Sequence, residues 1–298
     1  ALQAQDFNGA KWSLGLRGKG IKESDIDDAI KKKLLVRTWP MRGTLHFLAP
    51  VDVRWMLKLL APRIIKSLGG IYRQNGLDDL LFTKSRGIIM RKLQEDQIVT
   101  RGDLHAELER HGISTSAQRG MHILNRMAME GLICLGPHLE KQPTFVLLDE
   151  WLPLSSAFDT DEALSQLALR YFNGHGPATL KDFVWWSGLK VTDARKGLDA
   201  VRTSLMHHSM DGQDYFMSQR MDLSLSVAPK AYLLPGFDEY ILGYADRKHA
   251  IQAMDAHRIV PAKNGLFMPT VIFEGRVVGI WKKSVKKEEV TITIDPFE

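Results

Sequence analysis

The chain has 298 residues, of which 44% are hydrophobic and 25% charged, and it carries a formal net charge of +5 at pH 7. This length exceeds the usual size of one hydrophobic core, so two or more compact units are expected. No apolar run reaches the roughly 18 residues of a membrane span, no signal-peptide pattern occurs, and the single cysteine, Cys134, excludes an internal disulfide. These features predict a soluble cytoplasmic protein, and the basic balance favours a polyanionic partner.

The chain opens with two neutral amides, Gln3 and Gln5, placed two residues apart beside Asp6. Positions i and i+2 point to different sides of a helix but to the same side of an extended strand. If the two amides act together, this segment should therefore be extended or irregular. Taken alone, a Gln-x-Gln triplet is more typical of solvated polar surface. Because the first residue is Ala and Leu2 looks internal to an element, we expect that native residues precede this segment.

A helix that opens at Ser24 is followed by segment 35–46, in which two β-prone runs predict a hairpin. Pro40 is preset for the turn, and Gly43 is free to adopt a positive φ. A helix followed by a hairpin is the last half of a winged helix, so the beginning of the chain predicts a winged-helix unit that lacks its opening helix.

The middle of the chain shows the complete winged-helix order of three helices and two strands. Thr100 is expected to cap the second helix. The third, over residues 115–130, should bury a stripe of Met121, Leu124 and Ala128. Another face of this helix carries three residues that would contact DNA if it docks as a recognition helix, although the helix could instead pack on a neighbour: Arg119, His122 and Arg126.

The same order then repeats, with Thr179 at the corresponding cap and Asp211-Gly212 as a hairpin turn. From residue 230 onward, β-prone runs that include 241–242, with turns at Asn264-Gly265 and 274–276, predict a β-rich module. The fold class expected from the sequence is therefore α+β, with three tandem winged-helix units followed by a small, barrel-like C-terminal β-rich module. The boundaries are 1–60, 83–152 and 153–228 for the winged helices, 61–82 for a connector after the first, and 229–298 for the β-rich module.

No constellation in the sequence predicts a metal or cofactor site. His105 and His111 are six residues apart and diverge around a helix, and the adjacent His207 and His208 point to opposite faces of a strand. A phosphate-binding glycine loop in its strand–helix context and the Gly-x-Ser-x-Gly elbow of hydrolases are also missing from the sequence. The residues alone therefore indicate a nucleic-acid-binding tandem winged-helix protein without a cofactor.

A set of short segments in one order gives the chain a resemblance that covers nearly its whole length. The chain is similar to the AlkZ/YcaQ family of winged-helix DNA glycosylases, whose signature is Gln-apolar-Gln or, in the YcaQ branch, Gln-apolar-Asp. The resemblance implies removal of alkylated purines from double-stranded DNA, in some members also the unhooking of interstrand crosslinks. The segments that carry it are Gln3-Ala4-Gln5, Arg37-Thr38-Trp39-Pro40-Met41-Arg42-Gly43-Thr44-Leu45-His46, Gly176-Pro177-Ala178-Thr179, Leu233-Leu234-Pro235-Gly236-Phe237-Asp238, Asp246-Arg247, Asn264-Gly265 and Gly275-Arg276-Val277-Val278-Gly279.

The chemistry that the resemblance implies is compatible with neutral amides. An N7- or N3-alkylated purine is already cationic and leaves without protonation, so a titratable acid is dispensable. The hypothesis is that Gln3 and Gln5 position the attacking water, with Gln5 facing the developing positive charge through its carbonyl oxygen. Asp6 is a candidate helper or base, with helix capping as its alternative.

Other residues are candidates for contacts with DNA, and each has a structural alternative. Arg37, Arg42 and His46 flank the first hairpin and could contact phosphate, although Arg42 could be a turn charge and His46 a structural histidine. Trp39 could stack on a base or be buried against a helix. For the polar residues Asp238, Asp246 and Arg247, an internal salt bridge is the expectation.

Two other functions remain open at this point. A transcriptional regulator would use the winged helices for sequence-specific binding without catalysis, and an architectural protein would assemble through the β-rich module. For the glycosylase, we expect a nucleoid-associated monomer that needs neither a membrane nor an obligate protein partner.

Overall fold

The structure is a computed structural model, and it describes residues 1–153, 158–221, 224, 230–261, 265–287 and 289–297. The chain forms two compact units, and the α+β class is confirmed. The first unit comprises Ala1 and residues Ser24–Ala163, and the second comprises Leu2–Glu23 and Leu164–Glu298. Within the described ranges, no helix is both long enough and apolar enough to cross a membrane.

The helices are α1 (Phe7–Arg17), α2 (Glu23–Lys31), α3 (Pro50–Ser67), α4 (Gly69–Gln74), α5 (Asp79–Asp96), α6 (Arg101–Arg110), α7 (Arg119–Met129), α8 (Leu148–Trp151), α9 (Thr160–His175), α10 (Leu180–Ser187), α11 (Val191–Val201), α12 (Glu239–Leu242) and α13 (Ala256–Ile259), with 3-10 turns at Arg202–Ser204 and Ala253–Asp255. The strands are β1 (Leu2–Gln3), β2 (Val36–Met41), β3 (Thr44–Leu48), β4 (Val99–Thr100), β5 (Ile133–Leu135), β6 (Thr144–Leu147), β7 (Leu205–Met210), β8 (Gln213–Ser218), β9 (Ala231–Leu234), β10 (Thr270–Phe273), β11 (Arg276–Lys286) and β12 (Glu289–Pro296).

The predicted first hairpin is confirmed as β2 and β3. Its turn is formed by Arg42 and Gly43, with φ of +55° and +72°. Pro40 is not in the turn as expected but in β2, where the register shifts between Thr38 and Met41. A proline has no N–H to give to a ladder, so an interruption of the pairing is where a strand tolerates it.

The strands of the first unit run in the order β3-β2-β5-β6-β4. The two hairpins predicted as separate wings share this sheet, because Arg37 of β2 pairs with Leu135 of β5. Thr100 caps α6 as predicted, with its side chain accepting the N–H of Asp103. Behind the sheet, α5, α6 and α7 supply a continuous core that includes Leu93, Leu104 and Ile123.

Residues 61–82, the expected connector, contain the end of α3, which continues through Pro62, followed by α4 and the start of α5. One prediction for the first unit needs correction. The third helix of the middle region begins at Arg119, not near Thr115, and Met121 is 45% exposed. Ile123 and Met127 fill the core in its place, together with the predicted Leu124 and Ala128.

In the second unit, Thr179 forms the predicted cap of α10 as a full capping box with Asp182. The hairpin β7–β8 turns at Asp211-Gly212 as predicted, with φ of +52° and +70°. The C-terminal strands run in the order β12-β11-β10-β9, and Glu274-Gly275 forms the expected turn between β10 and β11. Asn264, predicted to be in a turn, lies outside the described residues.

Residues 241–242, predicted as a strand, belong instead to the short helix α12. The reason is local, because the Asp238 carboxylate accepts the N–H of Tyr240 and caps a helical turn. Helix α1 packs against the C-terminal sheet: the Trp12 indole donates to the carbonyl of Leu233 at 2.8 Å, and its ring lies 5.4 Å from that of Trp281. This packing fixes the helix that directly follows Gln3 and Gln5.

Candidate active site

The Gln-x-Gln segment is non-helical, as expected if the two amides act together. Gln3 ends β1, Gln5 and Asp6 lie in a bend, and α1 begins only at Phe7. The two amides differ in accessibility, since Gln3 is 7% exposed whereas Gln5 is exposed. Gln5 is therefore the more accessible of the two amides.

The backbone of Gln3 is anchored by a buried carboxylate. The N–H of Gln3 donates to Oε1 of Glu239 at 2.9 Å, and Glu239 is only 5% exposed. The other carboxylate oxygen, Oε2, accepts the indole N–H of Trp186 at 3.0 Å and lies 3.2 Å from Nε2 of His175. The His175 ring stacks on Tyr171 with 4.7 Å between centroids. Glu239 thus ties the start of the chain to α9 and α10, and a hydrogen-bonded carboxylate in a buried site holds its partners in fixed geometry.

A second carboxylate, Asp238, holds α1. Both of its oxygens accept from the guanidinium of Arg17, at 2.7 and 2.9 Å, and one also accepts the hydroxyl of Ser13. Burial disfavours the charge of Arg17, but the hydrogen bonds and negative charge of Asp238 outweigh this and raise the pKa of Arg17. For Asp238 the expected internal salt bridge is therefore present. Asp246 instead pairs with Lys248, and Arg247 donates to the carbonyl of Ile241.

Asp6 occupies the N-cap position of α1, but its side chain makes no capping hydrogen bond. The carboxylate lies over the first turn, where a Cβ added to Gly9 would come within 2.6 Å of Oδ2. Because Gly9 has no side chain, the exposed carboxylate of Asp6 can lie there without a clash. Asp6 therefore stands where a helix-capping residue is expected, but it does not make the capping hydrogen bond.

The candidate DNA-contacting residues on the first hairpin differ in how deeply they are buried. Trp39 is partly buried against the core of the first unit, its expected structural alternative, and Arg37 is buried within the sheet. His46 is fully buried, with Nδ1 2.9 Å from the carbonyl of Thr44 and Nε2 3.3 Å from Nη2 of Arg42. A ring with no exposed surface does not contact DNA directly in this conformation, so the structural alternative fits His46. Arg42, in contrast, is half-buried at the turn.

The three candidate residues on α7 pack within the first unit. This fits the alternative in which the helix packs on neighbouring elements and does not dock into DNA. Arg119 donates to the carbonyls of Ser114, Asn75 and Gly76. Arg126 lies over the ring of Phe82, 4.9 Å from its centroid, and pairs with Glu130.

The third residue, His122, meets the edge of the Tyr72 ring, and burial lowers the pKa of its imidazole. All three candidate side chains on α7 therefore make contacts within the first unit.

Glu239 is the main residue that the sequence analysis did not single out. Its partners Gln3, His175 and Trp186 lie 236, 64 and 53 residues away, so no local pattern joins them. The one feature of the sequence that could have drawn attention to Glu239 is its position directly after the resemblance segment that ends at Asp238.

Cys134 lies in the environment of a core residue. Cys134 is buried in β5, and burial raises the pKa of its thiol to about 12, as expected for a core residue and not for a nucleophile. In the part of the chain that the structure describes, no group of three His, Cys, Asp or Glu residues is arranged to hold a metal ion.

Comparisons with known proteins agree with this fold. The profile of a family described as "DNA glycosylase AlkZ-like" matches residues 1–298. An "Interstrand DNA cross-link repair glycosylase" of Streptomyces sahachiroi is 27% identical over 315 residues, covering 99% of this chain and 82% of that protein. The solved structure of Streptomyces sahachiroi DNA glycosylase AlkZ has the same fold, with a TM-score of 0.75 at 24% identity over 99% of this chain and 82% of that one. The chain therefore belongs to the AlkZ-like family of DNA glycosylases, enzymes that hydrolyse the N-glycosidic bonds of bases in DNA.

Proposed function

We propose that this enzyme removes cationic N-alkylated purines from double-stranded DNA, with Gln3 and Gln5 holding the attacking water. Alkylation at N7 or N3 leaves a positively charged base that departs without protonation. The protein then has to orient a water molecule toward the sugar C1′ and to tolerate positive charge developing there. Neutral amides can do both, because each offers a carbonyl acceptor and N–H donors.

The observation that carries this proposal is the way in which the Gln-x-Gln segment is held. Its strand is anchored through the backbone of Gln3 to buried Glu239, and the helix that follows is fixed through Arg17 to Asp238. Between these anchors Gln5 is exposed, so it is the amide that we assign to direct contact with the nucleotide. The lower exposure of Gln3 suits a residue that holds water alongside it. Asp6, exposed at the start of α1, is the proposed helper.

We extend the proposal to interstrand crosslinks because the relative from Streptomyces sahachiroi is described as a crosslink repair glycosylase. A crosslinked base cannot swing freely out of the duplex, so the reaction would occur without complete base flipping. The proposed organisation is three winged-helix units with the boundaries 1–60, 83–152 and 153–228, followed by the β-rich module, acting as a monomer. In the first hairpin, we assign a phosphate contact to Arg42, with His46 orienting its guanidinium.

The test uses two duplexes, one with a single 7-methylguanine and one with a crosslink between guanine N7 atoms of opposite strands. Excision leaves an abasic site that alkali converts into a strand break. We expect breaks at the modified position in both duplexes and none in the undamaged duplex. Binding without strand breaks at 7-methylguanine would contradict the proposed substrate and would return the transcriptional regulator as the better account.

A further inference from the structure

The second unit contains a cavity of about 690 Å³ that the proposed catalytic step does not use. Its walls come from the hairpin β7–β8 and from the region between α12 and residue 250. Sites of roughly 300–1,000 Å³ accept drug-sized molecules, whereas a single methyl group would leave such a space nearly empty. The side chains that give the cavity its apolar and aromatic character are Met210, Tyr215, Met217, Tyr240 and Tyr244.

The cavity is also where two of the segments that carry the family resemblance meet. Pro177 and Thr179 come from one of these segments, and Asp246 and Arg247 form another. None of these four residues has a role in the proposed water positioning. Because all four line the cavity, we assign them the role of walls of a binding site.

The walls are held by hydrogen bonds within the second unit. Asp182, 3% exposed, caps α10 with one oxygen and accepts the N–H groups of Ala245 and Asp246 with the other, at 2.9 and 3.2 Å. The hairpin is tied to the same region by two backbone hydrogen bonds between Ala178 and Phe216, at 2.9 and 3.0 Å. The cavity is therefore preformed, which lowers the entropic cost of binding a rigid ligand.

One wall adjoins the residues that anchor Gln3. Tyr240 directly follows Glu239 in α12. The hydroxyl of Tyr244 donates to the carbonyl of His175 at 2.6 Å, and the ring of His175 contacts Glu239. A group bound in the cavity would thus lie beside the anchor of the Gln-x-Gln segment.

We propose that this cavity binds the bulky aromatic substituent of an N-alkylated purine while the glycosidic bond is hydrolysed. Tyrosine rings and methionine thioethers offer flat, polarizable surfaces that suit a polycyclic aromatic group. The inference rests on the proposed function and adds to it a specificity determinant: the cavity selects for large lesions and contributes little to small ones.

The test compares excision of 7-methylguanine with that of 7-(naphthylmethyl)guanine in otherwise identical duplexes, measured as kcat/KM. Tyr215→Ala removes an aromatic wall, and Ser209→Trp, at an exposed position on the rim, fills the cavity. We expect each change to lower the ratio of naphthylmethyl to methyl excision about tenfold, the effect of losing one buried aromatic contact. Tyr215→Phe keeps the ring and should retain the ratio. Tyr232→Ala, an exposed tyrosine outside the cavity, is the matched control and should leave both rates unchanged.

The outcomes separate this inference from the function on which it rests. Failure of the unmodified enzyme to excise 7-methylguanine would overturn the proposed function itself. Excision of 7-methylguanine with an unchanged ratio in both Tyr215→Ala and Ser209→Trp would overturn only the role of the cavity, as would failure of the unmodified enzyme to excise the naphthylmethyl lesion. If Tyr215→Ala does not fold, Ser209→Trp decides alone, since its site is exposed.

Discussion

Replacement of Glu239 by alanine should strongly destabilise the second unit. The change removes a buried acceptor from the N–H of Gln3 and from the indole of Trp186, and removes the partner of His175. Removing one member of a buried charged network typically costs about 3–5 kcal/mol, because the remaining groups stay buried without their partner. We expect a loss in this range for Glu239→Ala.

Glu239→Gln should cost less, about 1–3 kcal/mol, because it keeps the volume and one carbonyl oxygen but turns an amide N–H₂ toward a donor. The indole of Trp186 can only donate, so one of the two hydrogen bonds, to Trp186 or to Gln3, has to be lost. The measurement is urea denaturation followed by tryptophan fluorescence. Glu289→Gln, at an exposed position in β12, is the control and should change the free energy of unfolding by less than about 0.5 kcal/mol. A loss below about 1 kcal/mol for Glu239→Ala would refute the anchoring role.

Three further changes test the surroundings of the site. Asp238→Asn should lower the free energy of unfolding by about 2 kcal/mol, measured by urea denaturation, because it weakens the charged hydrogen bonds to Arg17; an effect no larger than that of Glu289→Gln would contradict this. Gly243→Ala should cost about 2 kcal/mol in the same assay, since its Cβ would come within 2.6 Å of the His175 ring and 2.7 Å of the Glu239 carbonyl, and full retention of stability would show that these groups can move. Cys134, whose pKa burial raises to about 12, should resist iodoacetamide at pH 8 in the folded protein and react once unfolded, because the thiolate is the reactive form; rapid labelling of the folded protein would contradict its burial.

Local chemistry predicted much of the fold. The turns at Gly43 and Gly212 and the caps at Thr100 and Thr179 follow from residues whose backbone or side-chain preferences act within a few positions. The non-helical start of the chain was expected only on the assumption that its two amides act together.

Predictions failed where longer context outweighed a local signal. Pro40 was expected in the hairpin turn, yet it lies in β2, where the pairing is interrupted between Thr38 and Met41. The apolar pair at 241–242 could not be told from a strand by its pattern, and the Asp238 cap decided for helix.

The site itself was predictable only in part. The Gln-x-Gln segment is visible in the sequence, but Glu239 acquires its role only when the fold brings it to the backbone of Gln3, 236 residues away. For His46 the sequence left a DNA contact and a structural role both open, and only the fold shows its ring to be fully buried.

The most direct test of the central proposal is single-turnover release of 7-methylguanine by the double variant Gln3→Ala/Gln5→Ala. Asn8→Ala, which removes an exposed amide from the first turn of α1, is the matched control. If the two glutamines position the water, the double variant should release the base at least about 100-fold more slowly while still binding the duplex, and the control should match the unmodified enzyme. Release at the unmodified rate by the double variant would show that the reaction does not depend on these amides.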